Sequence, residues 1–139
     1  MASFLYDSYM YDVLQSNINV NADTFKVMLA TSAYTPSRAH TKRSDITNEV
    51  SGTGYTAGGN TTTFTILAAD TTNHRDDVTL GGTTWTTSTI TARYAIYYKS
   101  RGGASSADEL VGVNDFGGDV ITTAGTFTLN SSTARITNT

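Results

Sequence analysis

Apolar side chains recur at every second position along most of this chain, and at every third or fourth only near its start. Within residues 4–16, Leu5, Tyr9 and Val13 repeat at four-residue spacing, with Tyr6, Met10 and Leu14 beside them. That pattern predicts one short helix with a broad apolar face. Asn17 and Asn21-Ala-Asp23 end it. From Thr24 the period is two: Phe25, Val27 and Leu29 alternate with Lys26, Met28 and Ala30, and Phe64 and Ile66 alternate with Thr63 and Thr65. Val78 and Leu80 stand beside Asp77 and Thr79. In a strand over residues 93–99, Tyr94, Ile96 and Tyr98 share one face, and Ala95 and Tyr97 the other. Val111 and Val113, then Phe127 and Leu129, then Ile136 follow. Short alternating runs bounded by Gly, Asn, Asp or Pro are the strand signature. The expectation is an all-β, single-domain antiparallel sandwich or barrel over residues 24–139, preceded by a helix or arm over residues 1–23.

The opening segment admits two readings. It is a helix capping one end of the β core, or an arm whose Phe4, Tyr6, Tyr9 and Tyr11 dock on another subunit. Tyrosine favours the second use because it joins apolar area to a polar tip, a mix enriched at interfaces.

Composition sharpens the β reading. Threonine supplies roughly a fifth of the chain, with 12 glycines, 8 tyrosines and one proline. Threonine and tyrosine suit a pleated, half-buried surface, and glycine ends strands. At 139 residues the chain buries a core without metal or disulfide staples. Having no cysteine, it excludes disulfide frameworks, thiolate zinc sites and cysteine nucleophiles. Charged residues are 15%, against about a quarter in an ordinary domain, which fits a surface spent against neighbours and equally a threonine-coated β protein that interacts with nothing. The net charge of −3 and the lack of a basic stripe argue against direct nucleic-acid binding. The N-terminus does not read as a secretory signal, and no apolar run is long enough for a membrane helix. A basic island stands out in residues 35–47, carrying Arg38, His40, Lys42 and Arg43. Residues 70–77 and 100–108 are further loops, and binding usually resides in loops on a rigid sheet.

Catalytic and metal chemistry finds little footing. His40 and His74 are the only histidines and form no metal-ligand pair. Asn114-Asp-Phe-Gly-Gly-Asp119 lacks the terminal glutamate of a calcium loop. Gly-x-Ser-x-Gly is absent, and every carboxylate lies near a turn rather than at an inward strand position, so a glycosidase pair is not expected. The run from Gly52 to Gly59 has no Gly-Lys-Ser/Thr and leads into a strand rather than a helix, so it is a turn and not a phosphate loop. Asp115-Phe-Gly117 likewise reads as a turn. Trp85, Tyr94, Tyr97 and Tyr98 are expected partly as core, with a glycan-binding face as the alternative. No cofactor is expected.

The order of landmarks carries one resemblance. Tyr34-Thr-Pro36 is followed by the glycine-rich run of residues 48–59 and a threonine-rich strand over residues 61–68. Then come Trp85, the run Ala92-Arg-Tyr-Ala-Ile-Tyr-Tyr-Lys99, and Asp115-Phe-Gly-Gly-Asp119. Over about residues 24–129 this succession resembles a family of small tailed-phage virion proteins, among them capsid cement (decoration) proteins. The resemblance implies a jelly-roll-like sandwich, which periodicity alone does not separate from an immunoglobulin-like one. It also implies a non-enzymatic protein, made in the host cytoplasm, that binds the outer capsid surface and bridges neighbouring capsomers. The partner would be the major capsid protein, with a homodimer on the shell's two-fold axis, and no nucleic acid or membrane. Phe4, Tyr6, Tyr9, Tyr11, Arg38, His40, Lys42 and Arg43 are the expected contacts. A tail or head–tail component, or a carbohydrate-binding host-recognition module, are the alternatives.

Overall fold

The computed structural model describes residues 3–139. Among them, eight strands and one helix follow in chain order: β1 (Phe4–Leu5), α1 (Asp7–Leu14), β2 (Phe25–Ala30), β3 (Asn60–Thr62), β4 (Phe64–Ile66), β5 (Arg75–Leu80), β6 (Thr83–Lys99), β7 (Leu110–Leu129) and β8 (Ser132–Thr137). The strands form two antiparallel sheets, ordered β1-β7-β6-β2-β3 and β4-β5-β8. The fold is therefore an all-β sandwich with a short N-terminal helix. Its backbone is a long hairpin: β6 and β7 pair from Thr83↔Leu129 to Tyr98↔Leu110. β2 adds to the other side of β6, from Phe25↔Lys99 to Ala30↔Tyr94.

Three connections pass between the sheets at one corner. β3 enters β4 through Thr63 alone, β5 enters β6 through Gly81-Gly82, and β7 enters β8 through Asn130-Ser131. The Gly81 amide donates to the Thr63 carbonyl at 2.8 Å, and the Thr62 hydroxyl donates to the Gly81 carbonyl at 2.5 Å. A Cβ on Gly81 would stand 2.6 Å from the Thr63 oxygen, so only glycine lets these two crossings touch.

Both faces of the larger sheet are buried. On one, Phe25, Val27, Leu29, Trp85 and Tyr97 pack against Phe64, Leu80 and Ala134 of the smaller sheet. The Phe25 and Phe64 rings stack there with centroids 4.1 Å apart. On the other, Met28, Tyr94, Ile96 and Tyr98 lie beneath Tyr34 and Ile46, which the long loop after β2 carries across the sheet. Each large side chain so buried contributes about 1.5–3 kcal/mol, which makes these two layers the main source of stability. Two-sided burial also explains why residues 94–98 are apolar at every position.

The structure departs from the sequence reading in two places. Residues 4–16 are not one helix, because Phe4–Leu5 pairs as a strand with Val113 and Gly112, and α1 begins only at Asp7. The helix ends where Ser16 turns to φ +62 and the Asp12 carbonyl accepts from both Asn17 and Ile18. Asp115-Phe-Gly-Gly-Asp119 is not a turn between strands but a wide bulge within β7. Tyr94 pairs with Asp115 and Ala92 with Val120, so Arg93 alone faces Phe116 to Asp119. Gly117 takes φ +83, and its amide donates to Asp115 Oδ1 at 2.8 Å. In the N-terminal segment, Tyr9 and Ile18 lie in one apolar layer and Tyr6 in the other.

Candidate interaction surface

The N-terminal segment and the basic loop, read separately from the sequence, meet at the edge of the larger sheet. β1 pairs with β7, which places Phe4 and Leu5 at that edge. The loop after β2 then returns beside them. The Asp7 amide donates to the Arg38 carbonyl at 3.0 Å, and Arg38 Nη1 donates to the Leu5 carbonyl at 3.5 Å. The Arg38 guanidinium lies 4.6 Å from the centroid of the Phe4 ring, a cation–π contact. Behind it, the Tyr6 and Tyr34 hydroxyls are 3.0 Å apart, and the Tyr34 hydroxyl is 3.0 Å from His40 Nδ1. Burial, reinforced by the Tyr34 hydroxyl, pushes the Tyr6 phenol well above its usual range.

Not every expected contact residue is free to make one. Tyr6 and Tyr9 are only 2% and 3% exposed and form part of the interior, so they cannot dock on a neighbour without unfolding the edge. Tyr11 and Leu14 instead face outward, at 62% and 77%, and with exposed Asp7 they line the outer face of α1. Phe4 is half-buried beneath Arg38.

The basic island is partly neutralised within the chain. Lys42 Nζ lies 3.6 Å from Glu109, and Arg43 Nε donates to Asp108 at 2.8 Å while its guanidinium covers the Tyr98 ring. His40 is held by Tyr34. Among the described residues, Arg38 has no carboxylate within ion-pairing distance. It is the exposed cation of the group.

Sequence reasoning missed the ion-pair network behind this loop. Glu109 and Asp108 are 2% and 1% exposed at the mouth of β7. Arg101 donates to Glu109 from Nε and Nη2, and the Arg101 amide donates to Asp108 at 2.8 Å. Lys99 reaches Asp23 at 3.0 Å and the Asn17 carbonyl at 2.5 Å. Burial raises the Glu109 carboxyl, but the Arg101 bonds and the Lys42 charge outweigh it and leave the group below its usual value. Asp45 is held low by the backbone amides of Thr41 and Lys42. A Lys-Ser-Arg strand end facing an Asp-Glu strand start was the available signal, since hairpin pairing must bring the two together.

The glycine-rich run of residues 48–59 lies flat on the sheet. Glu49 Oε1 accepts from the Tyr55 hydroxyl at 2.7 Å and the Gly58 amide at 2.6 Å. The Tyr98 hydroxyl donates to the Gly58 carbonyl at 2.5 Å, and burial pushes that phenol up to about 12. Trp85, Tyr94, Tyr97 and Tyr98 are all buried and form no exposed aromatic platform. Among the described residues, no three His, Asp or Glu side chains converge as a metal-binding group, and no helix is long and apolar enough to cross a membrane.

Fold and surface together define an antiparallel β-sandwich with an aromatic and arginine-bearing edge. No family model matches the chain, and neither the curated proteins nor the solved structures contain a match to it.

Proposed function

We propose that this chain is a structural virion protein that binds the outer surface of a tailed-phage capsid and cements neighbouring capsomers against the pressure of packed DNA. The reading rests on the succession of landmarks in the sequence. One structural observation supports it: Arg38 stacks on Phe4 at the β1 edge, and the helix that follows that strand exposes Tyr11 and Leu14. Exposed tyrosine and leucine beside an arginine stacked on phenylalanine are the composition of a protein–protein contact. The partner is the major capsid protein, and multivalent attachment around a symmetric shell multiplies retention from modest contacts. A dimer on a two-fold axis suits that symmetry.

The test is to mix the purified protein with shells lacking it, and to follow binding and heat resistance of the shells. Wild type is expected to bind and to raise the melting temperature of the shell. The Tyr11→Ala, Leu14→Ala, Arg38→Ala triple variant is expected to fold normally and to bind about tenfold or more weakly. Wild type that leaves shells unoccupied, or that labels tails and not heads of virions, would overturn the reading.

A further inference from the structure

A cleft of about 550 Å³ opens between the two sheets on the side where each ends in an unpaired strand. β1 is the last strand of the larger sheet and β8 the last of the smaller one. Phe4, Leu5 and Val113 line one wall, and Ser132, Thr133 and Arg135 the other, with Leu80 beneath. β8 pairs with β5 in unbroken register from Arg75↔Thr137 to Leu80↔Ser132. Its outer side therefore presents a regular row of backbone donors and acceptors, and among the described residues no strand pairs there.

Most free edges are blunted by bulges, prolines or lysines, and the contrast within this molecule is direct. The outer edge of β7 beyond Asp115 is broken by bulges on both sides of residues 120–122. β8 has none, and its sequence, Ser-Thr-Ala-Arg-Ile-Thr, holds neither proline nor lysine. Its one charged side chain, Arg135, is turned onto Asp77 by two bonds of 2.8 and 2.9 Å.

The cleft's polar groups are incompletely matched. Ser3 donates to Asn114 at 2.8 Å and Asn114 donates to Ser132 at 3.0 Å. The Tyr97 hydroxyl, almost fully buried beside Asn114 and Ser132, completes a hydrogen bond with neither. Arg38 also lines the cleft; like Lys26, it has no carboxylate within ion-pairing distance among the described residues.

We propose that this cleft receives an extended segment of the partner protein, which adds as a fourth strand to the outer edge of β8. Alternate residues of an added strand point to one face. Its inward side chains are apolar and seat against Leu80, Val113 and Leu5, and a carboxylate on the same segment pairs with Arg38. The inference rests on the capsid-binding reading and names how the partner is held.

Hydrogen exchange of the full-length protein, free and bound to shells lacking it, tests this with fragmentation mass spectrometry. In the bound state the amides of residues 132–137 that exchange quickly in the free protein are expected to become protected, and those of residues 120–122 to stay unchanged. Arg38→Glu is expected to weaken shell binding about tenfold or more, while Arg38→Lys keeps most of it. Binding without new protection in β8 overturns the strand addition and leaves the capsid reading standing. Equal binding by Arg38→Glu overturns the carboxylate pairing. An absence of binding by wild type overturns both.

Discussion

Single residues in this protein are decided by what lies within a few ångströms of them. Gly59 has φ +74, and a Cβ there would collide with the Val27 carbonyl oxygen and Met28 Cα. Gly59→Ala is therefore expected to cost roughly 2–4 kcal/mol in urea unfolding, whereas Gly103→Ala, with open space around it, changes little. Glu109→Gln leaves Arg101 and Lys42 without their shared carboxylate. Because both cations are partly exposed, the expected loss is about 1–3 kcal/mol rather than that of a fully buried pair. That residues 48–59 form turns was legible, because glycine spacing is a local signal. The pairing of Glu109 with Arg101 across the hairpin was within reach of the sequence, but its contact with Lys42 was not, since Lys42 lies 67 positions away and nothing local foretells that meeting.

At the scale of elements, the N-terminal helix and strand are part of the core rather than an appendage to it. Removing residues 1–14 is expected to unfold or strongly destabilise the chain, and Tyr9→Ala alone to cost about 3–5 kcal/mol, because that ring is sealed in the interior. Tyr11→Ala and Leu14→Ala, on the outer helix face, are expected to shift stability by about 0.5 kcal/mol or less. Thermal unfolding by circular dichroism separates the two outcomes. Short runs rich in β-branched and aromatic residues, bounded by polar ones, revealed β2, β4 and the inner half of β6, although β2 and that half of β6 are buried on both faces. Such runs could not reveal the length of β7, since Gly117-Gly118 has the same spelling whether a chain turns or bulges. Nor could they show that the threonine-rich start of β6 continues into its buried end as one strand of 17 residues.

For the whole molecule, charge and topology set the conditions of stability. The carboxyls of Asp23, Asp45, Glu109 and Asp115 all sit below their ordinary values of 3.8 for Asp and 4.5 for Glu. Each is harder to protonate folded than unfolded, so its contribution is complete above those values and drains away as the pH falls through them. A melting temperature that is level near neutrality and declines below about pH 4.5 is expected, with Glu109→Gln flattening part of that decline. Tyr98 works in the opposite sense. Its raised phenol favours the neutral form, so its share of stability persists below the ordinary value of 10 and is lost toward 12.

The three chain crossings at Thr63, Gly81-Gly82 and Asn130-Ser131 act as a spine along which the two layers are sewn. Loosening must then begin at the margin farthest from the stitching, where Ile66, Arg75 and Thr137 end the small sheet, and travel inward. A single nick at any one stitch leaves two others holding the layers in alignment. Wear on such a body frays its rim long before it parts its leaves.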